Sequence, residues 1–388
     1  MPIPVGYSLK NVYKRSRTVL FTVIGIAVVV FVFTAVQMLT EGIRATLVGT
    51  GSEANAIVVQ RSAVSETTSG IDRDGYNQLK TLPGIERNVA NEPIAVGEIV
   101  VLVTQQKKGT GAKVNATMRG TEPKVFDVRS SIKLLEGRLF TVGSSEIIIG
   151  SGVQRLFENC SLGSVLTLNQ KQWTVVGIFD AGRSGFDSEI WADVAQVQQT
   201  FRRDIFSSFT ARIKNDSDLE IFKAEIVKDN RLRVDVKREK KFYGDQSESL
   251  ATFIGVLGSM VSTIFSIGAI VGAMITMYAA VANRTREIGT LQAIGFKRGE
   301  IIIGFLLEAE AVALIGGVIG IFLASFLSAV SFSTTNFDSF SETEFRFSLS
   351  GGVILSSLIF SAVMGFLGGV LPAMQASKMK VVDALRSV

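Results

Sequence analysis

Four stretches of this chain run almost without charge for lengths that few water-soluble domains tolerate. They are residues 18–39, 250–282, about 301–332 and about 350–371. A helix needs roughly 20 mainly apolar residues to cross the hydrocarbon of a bilayer. It must also satisfy its backbone polar groups within the segment, which restricts the choice to helices or closed barrels. Each stretch has the required length, so the pattern predicts four membrane-spanning helices. Composition agrees: 47% of the 388 residues are hydrophobic, and the mean hydropathy is +0.35, both high for a soluble domain of this size. The first run, TVLFTVIGIAVVVFVFTAVQML, follows Lys10, Lys14, Arg15 and Arg17 as a signal peptide would. Its apolar core is longer than the roughly 7–15 residues of such signals, and no small-x-small cleavage site follows. A retained anchor is expected. The second run exceeds one crossing, which leaves its N-terminal part able to stand out of the bilayer as a stalk.

Lys and Arg collect in cytoplasmic loops, and their distribution here is consistent along the chain. The amphipathic segment 1–17 is basic, as are residues 283–300 (Arg284, Arg286, Lys297, Arg298) and the tail 372–388 (Lys378, Lys380, Arg386). The short loop 333–349 instead carries Asp338, Glu342 and Glu344 against Arg346. The expected architecture is an α-helical membrane protein with four transmembrane helices. A large extracytoplasmic α/β domain, residues 40–249, is inserted between helices 1 and 2. Both termini are cytoplasmic. In the inserted segment ANAIVVQ and PIAVGEIVVLV read as strands, and SVLTLNQKQWTVVGIFD as a hairpin about the polar NQKQ. DRDGYNQLKTLPGI reads as a short helix stopped by Pro83 and Gly84, and LEIFKAEIVKDN as a helix with Leu219, Phe222 and Ile226 at helical spacing.

Several chemistries are excluded. The chain has no His and one Cys, Cys160, so the usual soft-ligand metal sites and any intramolecular disulfide are ruled out. The acids of residues 40–249 are scattered rather than paired in sequence, and no catalytic cluster is evident. The sequence has no G-x-x-x-x-G-K-[ST], hence no Walker A loop for ATP. Within the spans the only ionisable residues are Glu308 and Glu310, too few for a polar conduit. Two residues apart on a helix, they point to different faces and cannot form one site alone. Anchoring of Glu308 by a cytoplasmic arginine is the expected role. Glycine pairs at four-residue spacing, Gly268/Gly272, Gly316/Gly320 and Gly365/Gly369, permit close helix approach, within one subunit or across a dimer seam.

The charged passage VANRTREIGTLQAIGFKRGE, residues 281–300, interrupts this apolar chain. Ile288, Leu291 and Ile294 recur at helical spacing within 284–295, opposite Arg286 and Thr290; Gly295 ends the helix, and Phe296 follows. Physics alone leaves two readings open. Its apolar face rests on lipid headgroups, or it fills a groove on a cytoplasmic partner. REIGTLQAIGFKRGEI resembles the coupling-helix signature of the FtsX/MacB-type ABC permeases, with Arg286, Glu287, Ile288, Gly289, Leu291, Ala293, Gly295 and Ile301 in place. PAMQASKMKVVDALR is similar to the family's closing motif, though Val381 stands where proline is usual. LEAEAVALIGGVIG resembles the third span, with Glu308 as the matching acid, and LLEGRLF, SEIIIGSGVQRLF, LGSVLTL and WTVVGIFD resemble the family's periplasmic core.

The resemblance implies a permease subunit in the bacterial inner membrane, with no cofactor of its own. ATP and Mg would be bound by a partner ATPase, present in two copies and docked on the coupling helix. MacB-type members carry that ATPase at their N-terminus, so with only residues 1–17 ahead of the first span it is expected on another polypeptide. A second permease copy, identical or paralogous, is implied, as are a periplasmic adaptor and an outer-membrane channel. Closure of the ATPases would move the outer domains and drive export or extraction of a hydrophobic, peptide or lipid-like substrate. The same layout serves lipoprotein-releasing permeases and FtsX-type relays that regulate cell-wall hydrolases. Leu291→Glu is expected to uncouple the ATPase.

Overall fold

The computed structural model describes residues 16–182, 184–229, 231–336 and 339–379, with the backbone alone for 16–18, 249 and 250. Lys10, Lys14, Arg15, Asp338 and the closing motif beyond Met379 lie outside the described residues. The order of elements is α1 (Ser16–Val48), β1 (Asn55–Gln60), α2 (Arg73–Leu79), β2 (Ala95–Gln106), β3 (Lys113–Thr121), α3 (Val125–Val128), β4 (Lys133–Gly137) and β5 (Glu146–Gly150). Next come α4 (Ser151–Leu156), β6 (Val165–Leu168), β7 (Lys171–Asp180), β8 (Glu189–Asp193), α5 (Val194–Phe201), β9 (Ser208–Arg212), α6 (Asp216–Lys228) and β10 (Val234–Arg238). The remainder is α7 (Glu239–Ala282), α8 (Thr285–Ala293), α9 (Arg298–Ser325), β11 (Ser331–Asn336), β12 (Ser341–Arg346) and α10 (Gly351–Lys378). The chain forms two compact units. One holds Gly42–Ala251 together with Ser331–Arg346, and the other holds the remaining described residues.

The first unit is built on a ten-stranded mixed sheet, ordered β10-β1-β9-β2-β3-β8-β5-β7-β4, with β6 also paired to β7. Side chains alternate between the faces of a strand, and here both faces are apolar. In β1, Ala56 and Val58 enter one core while Ile57 and Val59 enter another. In β5, Ile147 and Ile149 face a third core, and Ile148 joins Ile57 on the opposite side. Such doubly covered strands read as unbroken apolar runs. Local chemistry sets the ends. Asp72 caps α2 by accepting from the Gly75 amide at 2.7 Å, and Asn215 caps α6 by accepting from Asp218 at 2.8 Å. The β6–β7 hairpin turns on Asn169 and Gln170 alone, both at positive φ, as a two-residue turn between twisted strands requires.

In the second unit α1, α7, α9 and α10 are long and apolar enough to cross a membrane. Small and hydroxylated residues bring them together. Thr34 Oγ1 donates to Ser357 Oγ at 2.9 Å, Thr22 Oγ1 to Thr276 Oγ1 at 3.0 Å, and Ser361 Oγ to the Ala313 carbonyl at 2.6 Å.

Several boundaries differ from the sequence reading. The first helix continues past 39 to Val48, and the second begins at Glu239 rather than 250. The added turns mix good helix formers, such as Glu41, Arg44, Glu239, Lys240 and Lys241, with weaker ones, and hydropathy alone does not register either. The third helix stops at Ser325 and passes through a 3₁₀ turn before Ser331. The expected loop 333–349 is instead largely a β-hairpin, with Phe332 facing Phe345 and Thr334 facing Thr343. SFSTTN and SETEFR are rich in β-branched and aromatic residues, which favour strands. This hairpin belongs to the α/β unit: Lys107 pairs with Glu342, Arg155 with Glu344 at 2.7 Å, and Ser188 Oγ accepts from the Glu344 amide at 3.0 Å.

Candidate functional site

The charged passage folds as α8, a helix with one face fixed and one face open. Its entry is held by Arg284, whose guanidinium bonds Glu308 at 2.8 Å and Glu287 at 2.9 Å. The same guanidinium lies over the Phe305 ring, 5.2 Å from its centroid. Ile288 is 1% exposed among Met277, Val281, Ile301, Phe305 and Ala376, and Gly289 is buried beside it. The exit is a Schellman turn. Gly295 sits at φ +108°, its amide donates to the Gln292 carbonyl, and the Phe296 amide donates to Leu291 at 3.1 Å. Glu300 then caps the next helix by accepting from the Lys297 amide at 2.8 Å.

The expected apolar stripe is therefore divided. Ile288 faces inward, Leu291 is half-buried, and Ile294 is 72% exposed. A step of three residues falls about 60° short of a full turn of a 3.6-residue helix, so Ile288 and Ile294 cannot share a face. The open side carries Arg286, Glu287, Thr290 and Ile294 with Gly295 beyond them, and Phe296 is half-buried.

Of the two intramembrane acids, Glu308 is 5% exposed and held by Arg284. Glu310 is half-buried, forms no ion pair among the described residues, and lies where a Cβ on Gly365 would come within 2.8 Å of its carboxylate. The glycine pairs also separate. A Cβ on Gly320 would meet the Ala27 carbonyl at 2.6 Å, and one on Gly316 would meet Ile26 at 3.0 Å. Gly365 and Gly369 approach Ala313 and Ala309 as closely, at 2.6 Å each. These two pairs seat neighbouring helices of the same chain. Gly268 and Gly272 have nothing within 4 Å.

The scattered acids of the α/β unit converge on a buried network, a correction to the sequence reading. Arg119 on β3 bonds Glu66 at 2.7 Å, Glu189 at 2.7 Å and Glu98 at 3.2 Å. Arg129, after α3, bonds Glu98 at 2.7 Å and Glu239, the first residue of α7, at 2.9 Å. Tyr243 donates to Glu66 at 2.8 Å and Trp191 Nε1 to Glu189 at 2.8 Å. Burial alone would raise the Glu66 carboxyl, yet Arg119, Ser208 and Arg129 hold it down at about 2. Burial pushes the Glu189 carboxyl above its usual range despite Arg119. The only sequence trace of this network is a charge set inside an apolar strand, as in AVGEIVV and NATMRGT.

The described residues thus combine a large α/β unit with four helices long and apolar enough to cross a membrane. The profile described as MacB-like periplasmic core domain matches residues 18–229, and the FtsX-like permease C-terminal profile matches 259–381. The chain belongs to this MacB/FtsX-like family of ABC transporter permeases. It is 25% identical to the uncharacterized ABC transporter permease YknZ of Bacillus subtilis (strain 168), with 97% of this chain and 96% of that protein aligned. It is 28% identical to the macrolide export ATP-binding/permease protein MacB of Neisseria gonorrhoeae, over 70% of this chain and 44% of that protein. The chain thus spans less than half of that fused relative. The solved periplasmic region of MacB from Actinobacillus actinomycetemcomitans aligns with a TM-score of 0.37 at 15% identity, covering 53% of this chain and 94% of that one.

Proposed function

We propose that this chain is the permease subunit of an ABC transporter whose ATP hydrolysis occurs on a separate ATPase docked at α8. Two ATPases and two permeases form the complex, and ATP and Mg sit on the ATPases. The α/β unit stands outside the inner membrane between the first and second spans, with both termini in the cytoplasm. The Lys/Arg distribution supports this orientation. So does the grouping of the acidic hairpin Ser331–Arg346 with the α/β unit, since both are expected on the outer side. The substrate is hydrophobic, peptide or lipid-like, extracted from the outer leaflet or the periplasm and passed to an adaptor and outer-membrane channel. Motion of the outer units, rather than passage through a polar pore, does the work.

The observation that carries this reading is the two-sidedness of α8. Its inner side is keyed into α7, α9 and α10 by Ile288 and by the Arg284–Glu308 pair. Its outer side offers Ile294 among polar groups, the arrangement of an anchor for a partner's groove. A push on that face reaches Met277, Phe305 and Ala376 through packed side chains. Ile294→Glu puts a charge in the groove without touching the bundle, and it replaces Leu291→Glu, which would disturb packing as well. The expected outcome is an inserted, folded permease that no longer co-purifies with its ATPase. Full retention of the ATPase and of substrate-stimulated hydrolysis would remove the docking assignment. Binding of a cell-wall hydrolase to the complex, with no substrate-stimulated hydrolysis, would favour the relay function.

A further inference from the structure

The α/β unit holds a polar cavity that the proposed transport cycle does not use. Its volume is about 280 Å³, the space of about nine waters at roughly 30 Å³ each. Among the described residues five hydroxyl side chains line it: Thr50 and Ser52 between α1 and β1, Ser130 and Ser131 after α3, and Ser184 before β8. Thr50 and Ser52 are satisfied within the fold. Thr50 Oγ1 donates to the Thr46 carbonyl at 2.9 Å and accepts from the Gly185 amide at 2.7 Å, and Ser52 Oγ accepts from the Ala54 amide at 3.1 Å. Ser130 and Ser131 are exposed and form the rim. Ser184 is different. It is 5% exposed, and its Oγ has no hydrogen-bond partner among the described residues, although buried polar groups are nearly always satisfied. It precedes the 3₁₀ turn Gly185–Ser188, yet its hydroxyl does not cap that turn, the bond a serine ordinarily makes at a helix start.

The charged side chains of the wall, Arg129, Arg212 and Glu239, are each already matched. One oxygen of Glu239 takes the Arg129 guanidinium at 2.9 Å, and the other accepts from the Ser52 amide at 3.0 Å and Asn55 Nδ2 at 2.8 Å. Arg129 also bonds Glu98 at 2.7 Å. Arg212 pairs with Glu86 at 3.4 Å and donates to the Asp127 carbonyl at 3.2 Å. A charged ligand finds no unpaired countercharge among these side chains, and burying a charge without one is costly. Hydrophobic ligands are excluded for another reason. Their sites are lined mainly by apolar and aromatic side chains, whereas Val128, Ile132 and Phe186 are the only large apolar ones among the described residues here. The groups left to a ligand are hydroxyls, which both donate and accept, and a molecule of the same kind satisfies them. We infer that this cavity binds one neutral sugar unit, with Ser184 at its floor and Ser130 and Ser131 at its rim.

The test is saturation-transfer difference NMR on the purified full chain in lipid nanodiscs. D-glucose, D-galactose and N-acetyl-D-glucosamine are separate probes, with sodium acetate and choline chloride as charged controls. At least one sugar should give a saturable signal, and neither control should. Ser184→Ala removes one hydrogen bond and should raise the Kd of that sugar about 3- to 10-fold. Ser131→Phe fills the rim from an exposed position and should abolish the signal while leaving thermal unfolding unchanged. No saturable signal from any sugar would mean a cavity that holds water only, and would overturn the assignment. So would a saturable signal from acetate or choline, or a sugar signal that either substitution leaves intact. Should Ser184→Ala fail to fold, Ser131→Phe decides the matter alone.

Discussion

The two units handle buried charge in opposite ways. The α/β unit gathers two arginines and four glutamates from six separate parts of the fold into its interior. Among its described residues the helical unit buries one acid deeply, Glu308, and ties it to Arg284 at a helix entry. Elsewhere its helices meet through glycines, alanines and hydroxyls. In water a chain can bury apolar surface to fold, and it can use directional charge pairs to fix which strands lie together. Lipid offers helices no such hydrophobic gain on meeting one another, so close packing and a few hydrogen bonds must suffice. A buried ion pair adds little net stability, but breaking one is severe because the survivor remains desolvated. One unit is therefore vulnerable to lost charge, the other to added volume.

The largest expected effect tests the first half of that contrast. Arg119→Met leaves Glu66 and Glu189 without their main partner and should destabilise the α/β unit by about 3–5 kcal/mol. Trp173 and Trp191, both buried there, report its unfolding in denaturant. A loss below about 1 kcal/mol, the range of surface pairs, would make the network incidental. The second half is tested by volume. Gly320→Val drives a methyl into the Ala27 carbonyl and should destabilise the bundle by about 1–3 kcal/mol. Gly268→Val meets nothing and should leave the unfolding of an isolated subunit unchanged while weakening self-association if that face is the dimer seam. Equal losses from the two substitutions, read by thermal unfolding in detergent, would erase the distinction.

A smaller effect is expected from acid. Glu66 titrates lower in the fold than its ordinary 4.5, at about 2. Its contribution is complete above pH 4.5 and is lost as pH falls toward 2. The raised Glu189 acts with the reverse sign, favouring the fold below its ordinary range and losing that contribution as pH rises through its shifted value. Denaturant midpoints of the α/β unit should decline below pH 4.5, and Glu66→Gln should flatten that decline. An unchanged slope in the variant would assign the acid sensitivity elsewhere.

How much of this was legible in the sequence follows from the range of each interaction. Asn215 with Asp218, and Asn169 with Gln170, act within a few residues, and their patterns predict a helix start and a hairpin. The α8 passage was found from its break in hydropathy and its REIGTLQAIG motif. Its orientation is not legible from the spacing, because two steps of three residues leave Ile288 and Ile294 about 120° apart around the helix, one buried and one exposed. The hairpin Ser331–Arg346 looks like a charged loop in sequence, because its strands are short and its pairing depends on contacts across the turn. The Glu66–Arg119–Glu189 network left almost no trace, since its members lie 53 and 70 residues apart along the chain.

The sequence by itself determined that four helices are long and apolar enough to span a membrane, that the charged passage is a helix ended by glycine, and that no thiol or imidazole cluster exists. Those properties depend on composition and on contacts within a turn or two. Tertiary structure alone decided which side of α8 is open, which glycines are occupied, and that six distant charges share one interior. Each of these depends on what packs against a residue from elsewhere in the chain, and that is fixed only when sheet register and helix contacts close together.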